Sequence, residues 1–214
     1  MTKQMPSQIM QEIVELCSDL LVPFMKIRRD VPFPTEHLRE ETDGEHAYSL
    51  AMIAITLNNR MKLKLNDGLI AQYALVHDLV VVYAGDLSAR TATQQQIQQK
   101  SAKEHKAYIK IKNQFSESAG WIPSFIHEYE LRARPEARFV FAVDKMLPAL
   151  LYIVGGGKGW NQRFPIENDK LYFDLVSRLR QKVQLFPELS ELFEVIIAHL
   201  TSNRQHYANL PKNS

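Results

Sequence analysis

The chain has 214 residues, 45% hydrophobic and 23% charged, which is typical of a soluble globular protein with length for one sizeable core. Its net charge of +2 is too small to favour nucleic acid or an anionic membrane surface as a partner. The single cysteine, Cys17, excludes an intrachain disulfide, and its apolar surroundings predict a buried structural thiol. The N-terminus lacks the apolar run of a signal peptide and no segment is as long as a membrane span, so we expect a cytoplasmic protein.

Helical periodicity runs through the sequence, and strand-like alternation is nearly absent, which predicts an all-α fold. The first helix is predicted from Ser7 to about Ile27, with one apolar face made of Ile9, Ile13, Leu16, Leu20 and Phe24. The next segment, RRDVPFPTEHLREETDG, is predicted as a loop because two prolines interrupt it. Asp43 is predicted to cap the second helix and places His46 in its first turn.

The third helix, DGLIAQYALVHD, can be capped by Asn66 or Asp67. A short apolar segment then ends in a Gly-Asp turn at Asp86. The polar segment that follows is predicted as a loop leading into a long helix from about Gln95.

Proline positions set the boundaries of the next two helices. Pro123 and Pro135 each suit the first position of a helix. A proline lacks the backbone N–H, and at that position the N–H would have no partner within the helix. Pro148 lies inside the second of these helices and predicts a kink or an early end.

The segment GGGKGW predicts a turn, and two amphipathic helices near 167–185 and 188–207 finish the chain. The sequence has no internal repeat and no long linker. We therefore predict a single domain over 1–214, with C-terminal helices of about 166–207 packed on it.

Ionisable side chains interrupt three apolar helical segments. His77 and Asp78 follow a continuous apolar run, and adjacent residues can converge on one point only near a helix end, because each step turns by about 100°. Asp144 has apolar residues on both sides, and His46 opens a helix with an apolar inner face. A buried carboxylate needs a partner. Two imidazoles and two carboxylates suit one divalent cation such as Mn, Co, Fe or Zn.

Each of these residues also has an ordinary structural interpretation. A single histidine on an apolar face is usually a core residue bonded to a carbonyl, and Asp144 could pair with the adjacent Lys145. Taken together, with histidine and aspartate adjacent at 77 and 78, the residues favour a metal site. A plain helical bundle without metal remains the alternative.

The segments GEHAYSLAMIA, ALVHDLVVVYAGD and FVFAVDKMLPAL together resemble the signature segments of the HD-domain metal-dependent phosphohydrolases, most closely the 5′-deoxynucleotidase branch. The resemblance covers roughly residues 15–160. It implies an HD-domain helical bundle, a small phosphorylated substrate such as a nucleotide, and a homodimer. It also implies one divalent metal, held by His46, His77, Asp78 and Asp144.

The resemblance extends to the substrate site. Asp86 matches a Gly-Asp turn whose aspartate lies at the substrate sugar, and KSAKEHKAYIKI resembles a Lys- and Glu-bearing helix of that branch. Arg29 or Arg28 stands where the branch grips phosphate, a role suited to the bidentate guanidinium, although adjacent arginines also occur in solvated loops. Asp30 replaces a tryptophan of the branch, which leaves the sugar and base preference open.

The largest departure from the branch is Val81, where a glutamate is expected to activate the attacking water. A valine cannot take a proton, and general-base assistance is worth roughly two to four orders of magnitude. Three readings follow. The chain could be a slow phosphohydrolase, an enzyme using another carboxylate such as Asp86 or Glu45, or a metal- and ligand-binding protein without turnover. For an enzyme, Asp78 and Asp86 are the predicted catalytic residues.

The remaining motifs do not indicate a catalytic or binding site. GGGKGW lacks the spacing of a phosphate-binding loop, and Trp121 and Trp160 lack interleaved basic residues. We expect the remaining polar candidates to be solvated or packed rather than catalytic: His105, His127, His199, Glu128 and Glu130.

Overall fold

The computed structural model describes residues 5–34, 39–85, 94–164 and 169–209. The N-terminal helix has three consecutive parts, α1 (Pro6–Leu16), a π-helical turn (Cys17–Leu21) and α2 (Val22–Lys26). A hairpin of β1 (Arg28–Phe33) and β2 (Arg39–Thr42) leads into the helices α3 (Asp43–Met61), α4 (Asp67–Val76), α5 (Val81–Ala84), α6 (Gln94–Phe115), α7 (Trp121–Leu131) and α8 (Pro135–Val154). The chain continues with α9 (Trp160–Arg163), α10 (Asp169–Val183), a 3-10 turn (Pro187–Leu189), α11 (Ser190–Ser202) and α12 (Arg204–Ala208).

The all-α prediction is confirmed, but the segment predicted as a loop before α3 forms the antiparallel hairpin β1–β2. Its register is irregular between Arg28 and Pro32, and a proline is tolerated at an edge or a bulge of a sheet. Because the strands are short and β1 contains Pro32, the alternation that marks a strand is lost in this part of the sequence.

The N-terminal helix was predicted with a single inward face. Leu20 and Phe24 are buried as expected, whereas Ile9 and Ile13 are about half exposed. The π-helical turn shifts the helical phase between the two halves, so one stripe cannot stay on one side. Cys17, predicted to be buried, lies in this turn and is half-buried.

A capping box starts α3 one residue earlier than predicted, with Thr42 rather than Asp43 as the N-cap. The Glu45 backbone N–H donates to the Thr42 hydroxyl, and the Thr42 backbone N–H donates to the Glu45 carboxylate. A hydrogen bond from Arg39 lowers the pKa of Glu45 to about 2 despite partial burial. Glu45 is therefore engaged by the cap and by Arg39, which disfavours it as the alternative water-activating carboxylate.

Prolines locate two helix starts with different success. Pro135 is the first residue of α8 as predicted, whereas α7 begins at Trp121, two residues before Pro123. The predicted early end at Pro148 is wrong, because α8 continues to Val154. The flanking residues Leu147 and Ala149 are buried, so core packing outweighs the lost backbone hydrogen bond.

Two apolar clusters fill the molecule, and α8 runs through the larger one. The helices α3, α4 and α8 pack against one another, while α10 and α11 cover the other side of α8. Trp160 is buried among aromatic rings of this cluster, which excludes it from nucleic-acid stacking. Among the described helices, none is both long and apolar enough to span a membrane.

The turn after α8 confirms the interpretation of GGGKGW as structural. Gly156, Gly157 and Gly159 have positive φ angles, a conformation that favours glycine. Any Cβ on Gly157 would meet the ring of Tyr207 at 2.0 Å, so this turn is where α12 closes on the bundle.

Candidate metal centre

Three predicted ligands meet where α3, α4 and α8 pack together. His46 comes from the first turn of α3, His77 from the C-cap of α4, and Asp144 from the middle of α8. One potential ligand atom from each lies within 4.8 Å of the other two, and all three side chains are buried. Within the described residues, the fold thus gathers two imidazoles and a carboxylate whose sequence positions are far apart.

His77 directs one ring nitrogen, Nε2, toward the centre. Its Nδ1 donates to the backbone carbonyl of Ala74 at 2.8 Å, and because a carbonyl only accepts, Nδ1 carries the proton. Its Nε2 is buried and makes no hydrogen bond, although it lies 3.1 Å from Asp78 Oδ2. The edge of the Tyr129 ring packs against the imidazole and fixes its plane. Since Nδ1 is engaged with the backbone, Nε2 is the nitrogen of His77 that a metal would use.

His46 lies between two carboxylates. Its Nδ1 is 3.1 Å from Glu41 Oε2, and its Nε2 is 3.0 Å from Asp144 Oδ1. Burial alone would lower the pKa of His46, but the hydrogen bonds to Asp144 and Glu41 outweigh burial and raise it. The two carboxylates therefore favour positive charge at this ring, and either a proton or a divalent cation between Nε2 and Asp144 would supply it. The donor set fits such an ion.

The carboxylate of Asp144 is shared between Lys145 and the group of proposed ligands. Its Oδ2 forms an ion pair with Lys145, while its Oδ1 faces His46. Burial would raise the pKa of Asp144, but Lys145, His46 and His77 together lower it well below its usual range. The neighbouring lysine therefore uses one oxygen of the carboxylate and leaves the other directed at the centre.

Asp78 lies beside this group rather than inside it, with 31% of its side chain exposed. Its Oδ2 accepts a hydrogen bond from Arg29 Nη1 at 2.7 Å. Burial would raise its pKa, yet His77, Arg29 and Lys145 lower it well below the usual range. Its position against His77 supports the predicted fourth ligand, which remains a prediction.

Arg29, not Arg28, faces the centre. Arg29 Nη1 also contacts Asp43 Oδ1 at 2.9 Å, and its Nε lies 3.5 Å from Glu41 Oε2. Arg28 instead donates to the backbone carbonyl of Glu40 at the exposed edge of the hairpin. Three carboxylates therefore hold one guanidinium beside the three ligands.

Val81 and Asp86 are the two other positions that the family resemblance singled out. Val81 is 5% exposed and packs in the smaller apolar cluster, so position 81 contributes no polar group to the centre. Asp86, predicted at the substrate sugar and as a catalytic residue, lies outside the described residues.

A cavity of about 270 Å³ opens between α6, α7 and Val80, the N-cap of α5. Val80 in its wall follows Asp78 by two residues, and Glu130 follows Tyr129. Its wall consists of Val80, Ser101, Glu104, His105, Tyr108, Ile126, His127 and Glu130. Burial raises the pKa of Glu104, with smaller contributions from the charges of Glu130 and Asp78, and outweighs the opposing ion pair with Lys100 at 3.4 Å.

Sequence patterns did not indicate that Glu41 lies beside the centre, whereas the family resemblance had singled out the segment that contains Glu104. His105, His127 and Glu130 are exposed as expected, but α6 and α7 bring them to one opening. Only the pairing of these two helices reveals the convergence. Glu41 gave no signal, because it stands in a charged segment that was predicted as a loop.

Comparisons with known proteins agree with this geometry. Residues 26–185 match the family model described as HD domain. The fold is similar to a solved structure from Magnetospirillum magnetotacticum MS-1, described as a predicted metal-dependent phosphohydrolase, with 23% identity, 92% of each chain covered and a TM-score of 0.71. No curated protein matches the sequence significantly. The family model covers most of the chain and all three grouped ligands, and the chain therefore belongs to the HD-domain family.

Proposed function

We propose that this protein is a divalent-metal-dependent phosphohydrolase acting on a small phosphomonoester, with nucleoside monophosphates as the preferred class. One observation carries the proposal: His46, His77 and Asp144 converge in a buried group whose inward atoms are set to bind a cation. The description of the similar Magnetospirillum structure supports the reaction class. The preference for nucleotides comes from the resemblance to the 5′-deoxynucleotidase branch.

A bound divalent metal would acidify its water and polarise phosphoryl oxygens. The residues of the chain would hold it and position the substrate. His46, His77, Asp78 and Asp144 are the proposed ligands. Arg29 is the proposed phosphate clamp, because its guanidinium already lies against Asp78 beside the ligand group.

The cavity beside the centre suits the alcohol part of the ester. Tyr108 stacks on His127 at 6.0 Å, which offers a flat face to a ring, and Glu104 and Glu130 can accept hydrogen bonds from hydroxyl or amino groups. Glu104 is also the proposed proton acceptor, since its raised pKa brings it closer to neutral pH and Val81 cannot serve. The role of Asp86 at the sugar remains a prediction from the resemblance.

The test is a phosphate-release assay on protein loaded with Mn²⁺ or Co²⁺, across a panel of nucleoside monophosphates and simple sugar phosphates. We expect release from at least one monophosphate that disappears when a chelator removes the metal. Protein shown to hold metal that releases no phosphate above a blank across the panel would overturn the enzymatic proposal.

The second candidate is a metal- and ligand-binding HD protein without appreciable turnover. The burial of Val81 in an apolar cluster favours it, because no carboxylate occupies the position of the water-activating glutamate. In that case the loaded protein would bind nucleoside monophosphates measurably by calorimetry while releasing no phosphate. The homodimer implied by the resemblance also stays a prediction, which light scattering after size-exclusion chromatography would test.

A further inference from the structure

We infer that Glu41 is a positioning residue of the metal centre, which fixes the ring of His46 and links it to Arg29. Glu41 was not among the residues expected to act. The inference rests on the proposed metal function and deepens it. The alternative is that Glu41 serves only the packing of the hairpin.

Burial sets Glu41 apart from other carboxylates. Its side chain is 0% exposed, and it stands at the end of β2, two residues before α3. Burying a carboxylate is costly unless it is paired and hydrogen-bonded. Its Oε2 has two partners, whereas its Oε1 is buried with no hydrogen-bond partner among the described residues. An apolar residue would pack here without that cost, so packing alone does not explain Glu41.

The hydrogen bond to Glu41 determines which nitrogen of His46 faces the centre. The carboxylate accepts the proton of Nδ1 at 3.1 Å, so in a neutral ring Nε2 carries the lone pair. His46 Nε2 lies 3.0 Å from Asp144 Oδ1, on the side where the proposed ligand atoms of His77 and Asp144 are grouped. Carboxylate partners of metal-binding histidines orient the ring and increase its basicity.

Glu41 also connects the two functional parts of the site. Its Oε2 lies 3.5 Å from Arg29 Nε, across the hairpin, and Arg29 Nη1 contacts Asp78. The same carboxylate oxygen therefore touches a proposed ligand and the proposed phosphate clamp. A change at Glu41 should disturb both.

The experiment compares Glu41→Gln and Glu41→Ala with the wild type by titrating each metal-free protein with Co²⁺ against a competing chelator. Removing a carboxylate partner typically weakens metal affinity by about 10- to 100-fold, so we expect that loss in Glu41→Ala. Glu41→Gln keeps an acceptor oxygen of similar reach. Its Co²⁺ affinity should therefore lie between those of the wild type and Glu41→Ala. Glu41→Gln also keeps the test decisive if Glu41→Ala does not fold.

Glu136→Gln is the matched control. Glu136 is the other glutamate buried in the described residues, and it accepts from the backbone N–H of Asn66. We expect this variant to lose stability but to keep its Co²⁺ affinity within about twofold, because Glu136 contacts no proposed ligand. An equal loss of affinity in Glu136→Gln would assign the effect to packing.

A second readout needs no activity. In the Zn²⁺-loaded protein, the His46 Nδ1 proton should give a protected, downfield NMR resonance that is lost in Glu41→Ala. Unchanged Co²⁺ affinity in both Glu41 variants would overturn the inference and leave the metal centre intact. Wild-type protein that binds no Co²⁺ would instead overturn the metal centre itself.

Discussion

Arg29 Nη1 donates to Asp78 Oδ2 at 2.7 Å and so joins the hairpin to the residue that follows His77. The same nitrogen contacts Asp43, and Glu41 lies beside Nε, so one cation serves three carboxylates in a mostly buried site. Burial would lower the pKa of Arg29, but Asp78, Asp144 and Asp43 raise it, and the guanidinium stays charged. The stability of the site therefore depends on this charge.

Arg29→Ala should destabilise the metal-free protein by about 3 kcal/mol, because breaking a buried ion pair leaves carboxylates without their cation. Chemical denaturation checks the free energy of unfolding. Saturating Mn²⁺ should restore part of the loss by supplying positive charge near Asp78. Arg28→Ala is the control and should stay within about 0.5 kcal/mol, since that side chain is exposed. Equal effects of the two substitutions would contradict the assignment of Arg29 to the centre.

His77→Ala and Asp144→Asn should each abolish stoichiometric metal binding, because each removes one of three converging ligand atoms. Elemental analysis after exhaustive buffer exchange measures the metal content. His127→Ala removes an exposed histidine outside the ligand group and should retain the wild-type content. Metal retained at the wild-type level in Asp144→Asn would show that Asp144 serves only as the partner of Lys145.

Glu104→Gln should lower kcat by roughly 100-fold if Glu104 accepts the proton, with a smaller change in KM. The wild-type rate should rise as pH increases through the raised pKa of Glu104, and this limb of the profile should be absent in the variant. Glu117→Gln, in the exposed turn after α6, is the control. A profile that keeps its acidic limb in Glu104→Gln would assign the proton transfer to another group.

Glu104→Gln should also stabilise the fold at neutral pH. Because the folded-state pKa of Glu104 is raised, the unfolded chain releases this proton at lower pH than the native state, and stability falls as pH rises through that range. Glutamine removes this penalty. Thermal unfolding at pH 4 and pH 7 should show a gain for Glu104→Gln only at the higher pH.

Val81→Glu tests whether the expected water-activating group can be restored. The side chain is buried among apolar residues, so the substitution should lower Tm by several degrees. If the new carboxylate reaches the centre, kcat should rise by about 100-fold or more. Val81→Gln has a similar shape without a base and should lower Tm without raising kcat. Equal rates in the two variants would rule out general-base rescue at position 81.

Gly157→Ala and Gly156→Ala separate backbone strain from steric contact in the turn after α8. Both glycines have positive φ, which costs an alanine about 1 kcal/mol. Gly157→Ala adds a clash with the Tyr207 ring, whereas a Cβ on Gly156 meets nothing within 4 Å. Urea denaturation should therefore show a clearly larger loss for Gly157→Ala. Similar losses would mean that α12 moves aside at little cost.

Sequence periodicity was sufficient to predict the main helices, because α3, α4 and α8 bury regular apolar faces. It also located His46, His77 and Asp144, since charged groups on such faces are conspicuous. The hairpin was missed because its strands are short and β1 contains Pro32 and an irregular register. Glu41 was missed for a different reason: its burial depends on packing between elements, and a charged residue in a polar segment gives no sign of burial.

The hairpin β1–β2 carries both Arg29 and Glu41, and an isolated two-stranded sheet is only marginally stable in water. Its order therefore depends on the ion pairs it makes with the helices behind it. Loading the centre with a cation should tighten those pairs, so hairpin amides should exchange with deuterium more slowly after metal binding. In this molecule, ion binding and the ordering of a local folding unit would then be one event.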